Sequence, residues 1–190
     1  MRITKDPEVR KMEIIETALN LFKTKGIEKT TISEIAKSIG VAKGLIYYYF
    51  TSKEKLVDAV IEEFIRGVDK ELEKIMMDKS LNFYSKLTSI LDLYFNSIQS
   101  HLVVLSYTPK NPGILALIRE RLSTNALFYA KDLIDQGIEE KVLKIEYPEY
   151  MLEIIIKGLG DLFIRGITDP KIHSILVAQL LGLEEKKLIL

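Results

Sequence analysis

The sequence contains no cysteine and only two histidines, His101 and His173. Without thiols there is no disulfide, no thiolate metal site and no cysteine nucleophile. Two imidazoles are too few for most histidine-based zinc or triad chemistry, so no metal and no cofactor is expected. A glycine-rich phosphate loop, a His-x-x-x-His pair and a Gly-x-Ser-x-Gly elbow are all missing, which makes a helical enzyme the weakest of the available readings. No apolar run approaches the ~18 residues of a membrane-spanning helix. The opening stretch MRITKDPEVRKMEIIE is too charged for a signal peptide, so a cytoplasmic protein without membrane attachment is the expectation.

Net charge is missing too, with 27 basic against 27 acidic side chains. A non-specific architectural DNA binder needs basic surface, and the overall balance argues against one. The distribution is uneven, however. Residues 1–55 carry 11 basic and 7 acidic side chains, so the first part is basic and the remainder acidic.

What is present is a chain of 190 residues, 47% hydrophobic and 28% charged, the composition of a globular protein. A chain this long buries roughly 70% of the surface its unfolded form exposes. Helical signals dominate. Asp6-Pro7 is an N-cap followed by proline at the first helical position. Val9, Met12, Ile15, Leu19 and Phe22 then recur at helical spacing until Gly26. Thr31-x-x-Glu34 is a capping box opening a short helix that Gly40 ends. A third short helix is predicted from about Lys43 to Tyr49, and Thr51-x-x-Glu54 reads as a second capping box. From there Leu56, Val57, Val60, Ile61, Phe64, Val68, Leu72 and Ile75 mark one long amphipathic helix.

Further helices are predicted over residues 81–100, from Asn111-Pro112 to about Gln136 with Gly137 as its stop, and from Pro148 and Asp169-Pro170. Residues 108–113, with two prolines, break the chain. Period-two alternation is scarce, and no Asn-Gly or Asp-Gly hairpin signal occurs. The expected fold is all-α, with an N-terminal helical domain over residues 1–51 and a larger one over 52–190.

Residues 31–50, TISEIAKSIGVAKGLIYYYF, fit a helix-turn-helix. Two steeply crossed helices need a small residue where they approach, which Ala36 supplies. The turn needs a residue tolerant of positive φ, which is Gly40. Ile35, Ile39, Val41 and Ile46 would lock the pair onto the first helix. The second helix, Lys43–Tyr49, would probe duplex DNA. Lys43 can donate to guanine or to a phosphate, Gly44 lets the helix lie close, and Leu45 can meet a thymine methyl. Tyr47, Tyr48 and Tyr49 cannot all be buried on one face, so one or two should face outward, while Phe50 reads as core. Helix N-termini at Thr31–Ser33 and Ser52–Glu54 offer anion sites, with Lys53 either a phosphate contact or a solvated surface lysine.

TTISEIAKSIGVAKGLIYYYFTSKEKL, residues 30–56, resembles the DNA-binding domain of TetR-type transcriptional regulators, the tetracycline-repressor family. The resemblance runs over roughly residues 9–60, through Phe22-x-x-x-Gly26, Thr30-Thr31, Ile35-Ala36, Gly40-Val41, Tyr47-x-Tyr49-Phe50 and Lys53-x-x-Leu56. It implies a three-helix DNA-binding domain followed by a larger helical domain that dimerises and holds an inducer. By the same resemblance, Thr31 and Ser33 lie near phosphate and base, and Lys43, Gly44 and Leu45 fall where bases are read. Tyr47, Tyr48 and Tyr49 fall at backbone and groove-wall positions, and Lys53 at a phosphate clamp. Ala42 departs from the serine of many relatives, which removes one phosphate hydrogen bond.

In the C-terminal part, Glu153, Lys157, Asp161 and Arg165 recur every four residues with alternating sign, and nearly everything around them is apolar. A helix with so narrow a polar strip is buried on more than one side. Leu152, Ile155, Leu159 and Leu162, with Ile175, Leu176 and Leu180 of the next helix, are therefore expected to face a twofold-related copy; the alternative is a monomer with a central helix. Phe64, Tyr94, Tyr107, Phe128 and Phe163 are candidates to line a cavity for a small, largely apolar effector, although the same side chains also suit an ordinary helical core. The expected function is a transcriptional regulator, a repressor released from a palindromic operator when its effector binds.

Overall fold

The computed structural model describes residues 6–100, 112–184 and 188, and these form eight α-helices with no strand among them. In chain order they are α1 (Pro7–Lys25), α2 (Ile32–Ile39), α3 (Lys43–Tyr49), α4 (Lys53–Met77), α5 (Phe83–Ser100), α6 (Pro112–Glu139), α7 (Pro148–Ile164) and α8 (Pro170–Leu181). Two compact units emerge, and the division falls inside α4, after Arg66. The first unit thus runs past residue 51, because Leu56, Val57, Val60, Ile61, Phe64 and Ile65 on the first half of α4 are all buried.

Cap chemistry sets the helix boundaries. The Asp6 carboxylate accepts from the backbone N–H of Glu8 at 2.9 Å, fixing the start of α1. At α2 the capping box is complete: Glu34 N–H donates to the Thr31 hydroxyl at 3.2 Å, and Thr31 N–H donates to the Glu34 carboxylate at 2.9 Å. Asp169 caps α8 by accepting from Lys171 N–H at 2.9 Å.

Two sequence expectations shift here. The cap of α4 is Ser52, one residue later than the Thr51 box, since its hydroxyl accepts from Lys55 N–H at 3.2 Å and the helix begins at Lys53. Gly137 does not stop α6, which continues to Glu139; the left-handed residue is Lys141, at φ 59°. Gly137 is instead a packing residue. A Cβ there would lie 2.7 Å from both Leu143 Cδ1 and Phe83 Cδ2, so only hydrogen fits.

In the first unit Ile14, Ala18, Phe22, Ile35, Ile46 and Leu56 are fully enclosed. α1 packs on α2 and α2 on α3. Ala36 is buried at the crossing, while Ile39 and Val41 are half-buried. In the second unit Phe83, Leu87, Leu91 and Phe95 of α5 share a core with Leu133 and Ile134 of α6, Leu152 and Ile155 of α7, and Val177, Ala178 and Leu181 of α8.

Candidate nucleic-acid interface

The turn between α2 and α3 fixes the geometry. Gly40 sits at φ 75°, ψ 36°, the left-handed region. Val41 N–H donates to Ala36 carbonyl at 2.9 Å and Gly40 N–H to Lys37 carbonyl at 3.2 Å, a paired closure that ends α2 and re-aims the chain into α3. The α3 start at Ala42 has no side-chain cap, leaving its first N–H groups without a side-chain acceptor.

At about 100° per residue, a seven-residue helix separates inner from outer positions cleanly. Ile46 is fully buried and Phe50 nearly so, anchoring α3. Lys43, Gly44, Tyr47 and Tyr48 are all exposed, Tyr48 at 80%; Gly44 and Tyr48 lie nearly opposite Ile46, Tyr47 about a quarter-turn from it and Lys43 nearer to it. Tyr49 is half-buried and meets Tyr48 edge to face at 5.2 Å between ring centroids. Leu45 is half-buried, so its side chain divides between the unit's body and the outer surface. Lys43 Nζ lies over the Tyr47 ring, 5.6 Å from its centroid.

Ser33 and Ala42 are also exposed. Thr31 is exposed as well, but its hydroxyl is engaged with Glu34 within the capping box. Lys53 is half-buried and donates to the Glu28 carbonyl at 3.2 Å, tying the start of α4 to the α1–α2 connection. That bond uses one of three ammonium donors. Lys25 pairs with Glu34 at 2.9 Å. With Lys25 as the first cause and the Thr31 bonds next, the Glu34 carboxyl is held at about 2, well below its ordinary 4.5. The Ser52 hydroxyl likewise lowers the Glu54 carboxyl.

The candidate pocket residues are only partly brought together. Tyr94 and Phe163 stand 6.3 Å apart between ring centroids, in a cluster with Phe95 and His173. Tyr94 donates to the Leu159 carbonyl at 3.4 Å, and burial pushes its phenol up to about 12. His173, which in the sequence stood only as one of two imidazoles too few for zinc or triad chemistry, is fully buried with Nε2 against the Ile167 carbonyl at 2.7 Å. Phe64 belongs to the core of the first unit. Phe128 is a surface residue, 69% exposed with its ring against Tyr129, which corrects its placement in a cavity wall. Tyr107 lies outside the described residues.

The charged strip of α7 is exposed at Glu153, Lys157, Asp161 and Arg165, and Lys157 pairs with Glu153. Leu152 and Ile155 are buried in this unit's own core against α8, so neither is free to face a second copy. Leu159, Leu162, Ile175 and Leu176 are half-buried and Leu180 is 42% exposed. Among the described residues, the large apolar side chains that α7 exposes are Tyr150 and Ile154, which border a shallow groove with Glu153 and Lys157. The i, i+4 spacing of Tyr150 and Ile154 was the available signal for that face.

Comparison with known proteins agrees with the geometry. Residues 14–60 match the family model of bacterial regulatory proteins, tetR family. The probable HTH-type transcriptional regulator YttP of Bacillus subtilis is 32% identical over 168 residues, covering 86% of this chain and 80% of that protein. The HTH-type transcriptional repressor KstR2 of Mycobacterium tuberculosis is 24% identical over 166 residues, 84% of this chain and 80% of the relative. Among solved structures, a transcriptional regulator from Cytophaga hutchinsonii superposes with a TM-score of 0.74 at 25% identity, covering 85% of this chain and 82% of that one. An all-α chain with an exposed α3 held by a left-handed glycine turn, and with these relatives, belongs to the tetR family of bacterial regulatory proteins, DNA-binding regulators of transcription rather than enzymes.

Proposed function

We propose that this chain is a repressor that binds a palindromic operator as a homodimer and releases it when a small, largely apolar effector enters the second unit. The observation that carries the proposal is the outer face of α3, where Lys43, Gly44, Tyr47 and Tyr48 are exposed while Ile46 is fully buried. Ammonium and phenol donors suit base edges and phosphates, and the bare Gly44 leaves room for close approach. Ser33, Ala42, Leu45, Tyr49 and Lys53, each exposed or half-buried, would add contacts from α2, α3 and the start of α4, with Thr31 at the cap of α2.

Two copies with their α3 helices about 34 Å apart would meet successive major grooves of a palindrome. Support for a second copy comes from Ile154, Ile172 and Leu180, large apolar side chains left exposed on α7 and α8, flanked by the half-buried Leu162, Ile175 and Leu176. Support for an apolar effector comes from the Tyr94, Phe95, Phe163 and His173 cluster, and from the names of similar structures, the ketosteroid regulator KstR2 and the fatty acid degradation regulator FadR of Bacillus halodurans. Because α4 belongs to both units, a shift of its second half on effector binding would move the first, and DNA affinity would fall by population shift.

Footprinting of the purified chain on the DNA upstream of its own coding region tests this. A protected inverted repeat is expected, with affinity falling steeply as salt rises. Absence of protection on any inverted repeat at low salt would overturn the reading. Equal affinity for random duplex would instead favour an architectural binder.

A further inference from the structure

The lysines of the first unit differ in what holds them. Lys25 pairs with Glu34, Lys55 pairs with Asp58, and Lys53 donates to the Glu28 carbonyl. Lys43 has no carboxylate partner among the described residues, and its Nζ rests over the ring of Tyr47, one helical turn further along α3. The α3 N-cap is Ala42, which offers no hydroxyl or carboxylate to engage that ammonium. Nor is Tyr47 part of the edge-to-face pair made by its neighbours Tyr48 and Tyr49.

An aromatic face orients a cation differently from a carboxylate. A carboxylate would neutralise the ammonium, occupy its donors and repel an approaching phosphate, so it would have to be displaced on binding. A ring attracts the cation through its quadrupole and leaves the three N–H donors available. Lysine otherwise carries large rotamer freedom, which binding must remove. A ring at i+4 confines that freedom in advance without consuming the charge.

We propose that Tyr47 is a positioning residue for Lys43: its ring sets the direction from which the ammonium meets the DNA, so the base preference that Lys43 confers depends on that ring. The inference rests on the reading of α3 as the DNA probe and adds to it a dependence of one contact residue on another.

The test compares the full-length chain with Lys43→Met, Tyr47→Leu, Tyr47→Phe and the Lys43→Met/Tyr47→Leu double variant, each titrated against a library of randomised duplexes. Tyr47→Leu should weaken preference at the same base pair that Lys43→Met relaxes. The double variant should show no further loss of that preference, with a coupling of about two- to fivefold in dissociation constant, the scale of an exposed cation–ring contact. Tyr47→Phe keeps the ring and should keep the preference, while losing affinity evenly across sequences wherever the phenol meets a phosphate. In the DNA-free protein, the Lys43 ε-methylene protons should be shifted upfield by the ring current and return to ordinary positions in Tyr47→Leu. Ordinary ε-proton positions in the unmodified chain would overturn the inference without reference to DNA. If the unmodified chain selects sequences but the two single variants act independently, the positioning role alone falls. If it selects no sequence, the parent reading falls and takes this one with it.

Discussion

Gly44→Ala separates what α3 needs for folding from what it needs for contact. Gly44 lies in ordinary helical backbone, outside the set of residues with positive φ, and a Cβ built there meets nothing within 4 Å. In the free protein the substitution should therefore be favourable, by about 0.5–1 kcal/mol from reduced backbone entropy of the unfolded chain. In the proposed contact with DNA the same methyl would project ~1.5 Å from the helix backbone, on the exposed face nearly opposite Ile46. Inserting one methyl into a close-packed contact costs about 1–3 kcal/mol. The proposed dimer would carry two, so binding to the proposed operator should lose at least about 2 kcal/mol, close to thirtyfold in dissociation constant. Thermal unfolding by circular dichroism and anisotropy titration on labelled operator, in one buffer, measure both sides. The expected outcome is a higher melting temperature with weaker binding. Unchanged affinity would mean that the backbone of α3 does not approach the duplex, and a lower melting temperature would refute the account of the free protein.

Gly40→Ala meets open space at φ 75°, so its cost is backbone strain alone, about 1–2 kcal/mol, and Gly40→Asn should cost less because asparagine tolerates that region; urea unfolding of both variants checks the order. Gly137→Ala places its Cβ against the ring of the fully buried Phe83, so an overpacking cost of about 1–3 kcal/mol should exceed the ~1 kcal/mol gain in helix propensity. Calorimetry should show a net loss that shrinks in a Phe83→Leu background. For Glu34 the folded carboxyl is depressed from 4.5 to about 2, chiefly by Lys25. The folded state therefore binds this proton more weakly than the unfolded state does, and the contribution is present above pH 4.5 and lost as pH falls toward 2. Glu34→Gln should flatten that limb of the stability profile of the first unit, and salt should reduce the Lys25 share; carboxyl titration by NMR checks the group directly.

What was legible in the sequence was local. Asp6, the Thr31 and Glu34 box, Gly40 and Asp169 each act on backbone within a few residues, so their roles can be read from a short window, and the structure places them there. The outer face of α3 was legible for the same reason: with Ile46 inward, the 100° step turns Gly44 and Tyr48 outward, and its charge keeps Lys43 exposed. Even here the limit shows at Ser52, since two adjacent hydroxyl residues offer two possible caps and only the helix start decides between them.

The second unit was harder because its questions are about partners across the fold. Gly137 carries the same sequence signal whether it stops a helix or admits a ring, and the ring belongs to Phe83, 54 positions earlier. On α7 the charged strip was correctly placed, yet a helix that is apolar on both flanks does not say which flank meets its own chain. Val177, Ala178 and Leu181 of α8 decide it by enclosing Leu152 and Ile155, which turns Tyr150 and Ile154 outward. The aromatics behave likewise: Tyr94 and Phe163 join a cluster with His173 while Phe128 faces out, although nothing in their local sequence distinguishes them. A recognition surface built on one short helix is thus fixed by near neighbours, whereas a cavity or a face for a second copy is a property of how several helices meet. For the same reason the proposed DNA contacts can be tested residue by residue, while the proposed effector site has to be found by binding.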